Sequence, residues 1–143
     1  MKYRILMVLF IVYGGTLYSQ NIYYQYPNSS MKLESGDKII RNIPAYKDRF
    51  FIQGDEINNL VEFLSEDTNV NYKIEIHFFG GSDEFDIDYS CYIGRNLDFY
   101  LSSERNIHNY KVVGIGNRYP IFFNKDDIKK YNIANTRMEI IVE

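Results

Sequence analysis

Hydrophobic and polar positions recur along the chain with two different periods. Lys38-Ile39-Ile40-Arg41-Asn42-Ile43 follows Gly36-Asp37 and stops near Pro44, which cannot donate to a ladder; it predicts a first strand. Gly54-Asp55 opens a helix in which Ile57, Leu60, Val61 and Leu64 fall at i, i+3, i+4 and i+7, with Asn58, Asn59 and Glu62 turned outward. Glu56 in its first turn suits the positive end of the helix dipole. Tyr72, Ile74, Ile76 and Phe78 alternate with Lys73, Glu75 and His77, which predicts a strand with one buried face. Gly80-Gly81-Ser82 breaks it. Asp83-Glu84 then begins a second helix, with Phe85, Tyr89, Tyr92, Ile93, Asn96, Leu97, Tyr100 and Leu101 at helical spacing. Gly94 in its interior costs about 1 kcal/mol relative to Ala, which predicts close packing against a neighbour. Lys111 to Gly116 predicts a third strand, Lys125 to Tyr131 a short helix, and Arg137 to Glu143 a last strand with Met138, Ile140 and Val142 on one face. Phe50-Phe51-Ile52 is expected to plug the core from a loop.

The order strand, helix, strand, helix, strand, short helix, strand predicts an α+β fold: a two-layer α/β sandwich, β-α-β-α-β-(α)-β, with helices on one face of a mixed four-stranded sheet. Residues 36–143 carry these elements. Residues 21–35, with Tyr23, Tyr24 and Tyr26, have no period and are expected to form an extended segment packed on the domain by its tyrosines.

The beginning of the chain has a different character. A short basic start (Lys2, Arg4) precedes the unbroken apolar run Ile5 to Tyr13 and the small residues Gly14, Gly15 and Thr16. This is the layout of a secretory signal peptide over residues 1–20, with cleavage near Ser19 or Gln20. The run is shorter than the ~20 residues of a permanent span. Losing Lys2 and Arg4 takes the net charge from -3 to about -5.

Composition bounds the chemistry. The 143 residues are enough for one domain to bury a core without staples. A single Cys, Cys91, excludes an intrachain disulfide and a Cys-based zinc site, and two His leave little for a His-rich centre. No basic stripe marks a nucleic-acid binder. The acidic cluster Asp83, Glu84, Asp86 and Asp88 fails the spacing of a calcium loop and reads as the first turn of a helix. Gly114-Ile115-Gly116 precedes no helix, so it reads as a turn needing positive φ rather than half a dinucleotide fingerprint. His77 is a conceivable base, with Cys91 or Ser82 as nucleophile, but no third partner is fixed and Cys91 reads as a small buried thiol. No cofactor and no metal are expected.

From Gly36 to Glu143 the sequence resembles the OmpA-like domain, the periplasmic cell-wall-binding module at the C-terminus of outer-membrane protein A and its relatives. Ile39-Ile40-Arg41-Asn42-Ile43 is similar to the family's first strand. Leu60-Val61-Glu62-Phe63-Leu64 followed by Lys73-Ile74-Glu75-Ile76 resembles its first helix and second strand. His77 stands at the His of Gly-His-Thr-Asp, and Gly81-Ser82-Asp83-Glu84-Phe85-Asp86 resembles Gly-Ser-x-x-Tyr-Asn. Gly114-Ile115-Gly116-Asn117-Arg118-Tyr119-Pro120 is similar to Gly-x-Gly-Glu-x-x-Pro, and Asn135-Thr136-Arg137-Met138-Glu139-Ile140 to Asn-Arg-Arg-Val-Glu-Ile.

The resemblance implies a diaminopimelate site held by an Asp and an Arg, and here both are replaced. Phe78 and Phe79 follow His77 where the Asp is expected. Ile93, with Gly94 after it, takes the place of the Arg. Arg95, two residues on, is rotated about 200° around a helix and off the site face. The resemblance therefore implies a non-catalytic periplasmic interaction module docking on a protein partner in an outer-membrane complex, with at most weak peptidoglycan contact and no nucleic acid. The alternative is a peptidoglycan binder anchoring the outer membrane to the wall, with Asp83, Asp86, Arg95 or Arg137 replacing the lost pair. The degenerate site comprises His77, Phe78, Phe79, Asp83, Asp86, Arg95 and Arg137.

Overall fold

The computed structural model describes residues 20–46, 49–50, 52 and 54–143. Its elements, in chain order, are β1 (Ile22–Tyr23), β2 (Lys38–Asn42), β3 (Ala45–Tyr46), β4 (Arg49–Phe50), α1 (Gly54–Glu66), β5 (Tyr72–His77), α2 (Asp83–Phe99), a π-helical turn (Tyr100–Glu104), β6 (Tyr110–Gly116), α3 (Ile128–Asn135) and β7 (Arg137–Val142). The expected signal segment falls outside the described residues except for Gln20.

The architecture is α+β, with a mixed sheet in the order β1-β2-β7-β5-β6. β5 and β6 are parallel through the α2 crossover, and β7 runs antiparallel between β2 and β5. The strand that leaves the chain last thus fills the middle of the sheet. Its register sets Ile39, Ile140 and Ile74 side by side across three strands, with Met138 beside Ile76. Leu60, Phe63 and Leu64 of α1 and Ile93 and Leu97 of α2 cover that face. Each Leu or Ile fully buried there contributes roughly 1.5–3 kcal/mol.

Several expectations need correction. The main sheet has five described strands, not four, and β3 and β4 form a separate hairpin. The fifth strand comes from the segment expected to be merely extended: Ile22 and Tyr23 pair parallel with β2 at the sheet's edge. Two residues carry no readable period. The pairing is secured instead by buried Asp37, whose carboxylate accepts from the Asn21 N–H at 3.0 Å and from the Glu34 N–H at 3.0 Å. Tyr26 packs on Phe63 and donates to Glu56 at 2.8 Å, while Arg41 meets Glu56 through two hydrogen bonds of 2.8 and 2.7 Å. Of the apolar plug, Arg49–Phe50 is strand and Ile52 packs against the core; Phe51 lies outside the described residues.

In α2 the buried residues are Asp86, Ser90, Ile93, Gly94 and Leu97; of the expected stripe, Ile93, Leu97 and Leu101 are in the core and Tyr89 and Tyr100 pack against it. Phe85, Tyr92 and Phe99 are exposed. Small residues let the helix sit close: a Cβ on Gly94 would stand 3.1 Å from Val112 Cγ1, and one on Gly114 would stand 2.5 Å from the Cys91 backbone nitrogen. Cys91 is half-buried rather than fully buried. The short helix runs from Ile128 to Asn135, three residues later than expected at its start, because Asp127 supplies an N-cap by accepting from the Lys130 N–H at 3.0 Å.

Candidate functional site

Two neighbouring regions hold the residues singled out in the sequence. The first is the loop from β5 into α2. Phe78 turns onto the α2 side, its ring centroid 4.5 Å from that of Tyr89 and 6.1 Å from that of Phe85. A Cβ on Gly80 would come within 2.6 Å of the Phe78 ring, so glycine is what lets the chain fold over it. Phe79 meets Tyr131 of α3 edge-on, and its backbone N–H donates to the Thr136 hydroxyl at 3.1 Å. Both rings are buried.

The loop's polar groups are consumed internally. Ser82 caps α2 by accepting from the Phe85 N–H at 3.3 Å. Oδ1 of Asp86 accepts from the Gly80 N–H at 3.1 Å and the Gly81 N–H at 2.8 Å. Burial pushes the Asp86 carboxyl above the ordinary aspartate range, against the pull of the Gly81 and Gly80 donors. Asp83 accepts from Asn117 at 2.7 Å and ties the loop to the end of β6. Gly116 there has φ +68, the turn conformation the sequence called for. Ile93 is in the core and Arg95 is exposed.

The second region is the outer face of the sheet. Alternation puts Glu75 and His77 of β5 opposite the Ile74–Ile76 face, and register pairs them with Glu139 and Arg137 of β7. His77 and Arg137 are each 1% exposed. The expectation that the polar side of β5 faces solvent is therefore corrected at its C-terminal end. The segment after β6 supplies partners there: Tyr119 adopts φ 59, a left-handed kink, and two successive carbonyls are used. The Tyr119 carbonyl accepts from Arg137 Nη2 at 2.8 Å, and the Arg118 carbonyl lies 3.1 Å from His77 Nδ1. Arg137 also donates to the Asn135 carbonyl at 2.9 Å and, through Nε, to Glu139 Oε1 at 2.6 Å. Every arm of this guanidinium is engaged.

Lys38 pairs with Glu139 at 2.6 Å and Lys73 with Glu75 at 2.6 Å. Burial alone would raise the Glu139 pKa, but the Lys38 hydrogen bond and the Arg137 charge outweigh it and hold it below the ordinary glutamate value. Burial, and then Arg137, lower that of His77.

A carbonyl only accepts, so His77 Nδ1 carries a hydrogen, and in the neutral ring, which burial favours, Nε2 presents a lone pair. Among the described residues Nε2 has no hydrogen-bond partner. It faces Glu75 Oε2 at 3.4 Å and Glu139 Oε1 at 3.7 Å. Glu75 and Glu139 are the residues that sequence reasoning missed as neighbours of His77. Their signal was the alternation in two strands, but only the register of β5 on β7 joins it. Cys91 packs against Gly114 on the helix side of the sheet, so it is no partner for a histidine on the outer face.

No protein-family model and no curated protein match the chain. Among solved structures, the chain is similar to the OmpA-like domain of FopA1 from Francisella tularensis subsp. tularensis SCHU S4. The two share 15% identity over 74% of this chain and 73% of that one, with a TM-score of 0.47.

Proposed function

We propose that this chain is a non-catalytic OmpA-like interaction module, exported to the periplasm, that docks on a protein partner in an outer-membrane complex. The observation that supports this reading is the filled loop after β5. Phe79 and Ile93 stand where the sequence resemblance expects the ligand-gripping Asp and Arg, and both are buried. A charged hydrogen bond contributes roughly 1.5–3 kcal/mol, so losing two weakens a diaminopimelate contact by about a hundredfold or more. Asp86 is spent on Gly80 and Gly81, and Arg137 on Glu139 and the carbonyls of Asn135 and Tyr119, so neither is free to replace the pair. Phe85 and Tyr92 on the outside of α2, with Tyr119 and Phe123 beyond β6, are exposed aromatic area of the kind protein interfaces use.

Sedimentation with purified peptidoglycan tests the reading. Weak, unsaturated binding is expected; strong saturable binding overturns it and restores the wall-anchoring alternative. The N-terminus of the protein isolated from the envelope tests export, with a start near residue 20 expected and a start at Met1 against it.

A further inference from the structure

His77 has its ring fixed from one side and unsatisfied on the other. The Arg118 carbonyl orients Nδ1–H, the arrangement by which metal-binding histidines are held in the tautomer that offers Nε2. Nε2 itself is buried without a hydrogen-bond partner among the described residues. An orphaned buried nitrogen is costly unless something occupies its lone pair. What lies in front of it is two carboxylates. The separations of 3.4 and 3.7 Å are long for hydrogen bonds. They are close to the about 3.4 Å between neighbouring ligands of a tetrahedral ion whose bonds are about 2.0–2.1 Å long. The three ligand atoms all lie within 4.8 Å of one another.

We infer that His77 Nε2, Glu75 and Glu139 form a binding site for a divalent ion of the zinc class, bridging β5 and β7 on the outer face of the sheet. One imidazole with two carboxylates suits such an ion, whereas calcium and magnesium want more oxygens and no nitrogen. The surrounding cations define the site further. Lys73 holds Oε1 of Glu75 and Lys38 holds Oε2 of Glu139, the oxygens that do not face Nε2. Both lysines sit at the partly exposed rim and can turn to solvent. Arg137 is buried and competes for Oε1 of Glu139, which places the site among moderate binders and makes His77 with Glu75 its stronger half. Glu75 is half-buried and opens the route by which an ion enters.

The test uses the full chain, stripped with chelator, in a Cys91→Ser background that removes the one thiol. Zn²⁺ is titrated by calorimetry while the imidazole nitrogens are followed by NMR. One equivalent of saturable binding is expected, with the His77 Nε2 resonance moving and that of exposed His108 unchanged. Glu75→Gln, at a half-buried position the fold tolerates, weakens binding at least about tenfold, and His77→Gln abolishes it. His108→Gln leaves it intact. The inference is overturned if folded protein binds no Zn²⁺ at His77, if Glu75→Gln binds as well as the parent, or if His108→Gln removes the binding.

Discussion

The loop after β5 and the outer face of the sheet begin at the same residue pair, His77 and Phe78, and use opposite means to close a polar site. In the loop, aromatic area fills the space and four backbone donors find acceptors within the loop or its neighbours: Gly80 and Gly81 with Asp86, Phe85 with Ser82, Phe79 with Thr136. On the sheet face, charge is packed against charge, and one buried nitrogen is left over. On the reading proposed above, binding chemistry belongs to the charged outer face of the sheet rather than to the loop where the sequence resemblance puts it.

The largest expected effect comes from reinstating the lost acid. Phe79→Asp trades a buried ring for a buried carboxylate. The ring alone is worth about 3–5 kcal/mol, so urea denaturation should find the variant largely unfolded. A folded, stable Phe79→Asp protein would mean that the loop holds an open pocket, and the contrast between the two regions would dissolve. Next comes Glu139→Gln, which leaves the buried Arg137 without its counter-ion. About 3 kcal/mol of stability should be lost, read as a lower urea midpoint at unchanged slope. A loss under about 1 kcal/mol would mean that the face is wetter than its burial indicates.

Gly80→Ala sharpens the comparison on the loop side. The new Cβ would come within 2.6 Å of the Phe78 ring, which is buried and packed on Tyr89, so about 1–3 kcal/mol should be lost as the ring shifts. The smallest effect is that of Asp86→Asn. The amide oxygen keeps both glycine N–H groups, so at neutral pH stability should shift by no more than about 1 kcal/mol. Its signature is in the pH dependence. Because the folded-state pKa of Asp86 lies above the unfolded value, the native state holds the proton longer. The parent therefore has its Asp86 contribution in full below the unfolded value and loses it as pH rises through the folded one. Asp86→Asn should remove that slope between the ordinary aspartate range and neutrality, in thermal melts followed across pH.

The fold was largely legible. α1, β5, β6 and β7 follow from apolar spacing, and Gly94 and Gly116 do what their positions demanded. β1 was hidden because two residues have no period, and its pairing depends on a buried aspartate outside the strand. Two rings of the α2 stripe misled, since Phe85 and Tyr92 at helical spacing look like core but are exposed. The face that meets the sheet instead needed Ser90 and Gly94 for a close approach, which turned the rings to the flank. Of the candidate site, the substitution of Phe79 and Ile93 was readable residue by residue. The charged cluster around His77 was not: Glu75 lies on its own strand, but Glu139 and Arg137 lie on β7, about 60 residues further along the chain, and only the register brings them together.

Local sequence determined which segments became strands and helices, because period and capping act over a few residues. Only the tertiary structure decided that β7, the last strand made, enters between β2 and β5. That insertion is a long-range pairing fixed by the shared isoleucine layer. It alone places Glu139 and Arg137 against Glu75 and His77, and so turns two ordinary polar strand faces into one buried, charged site.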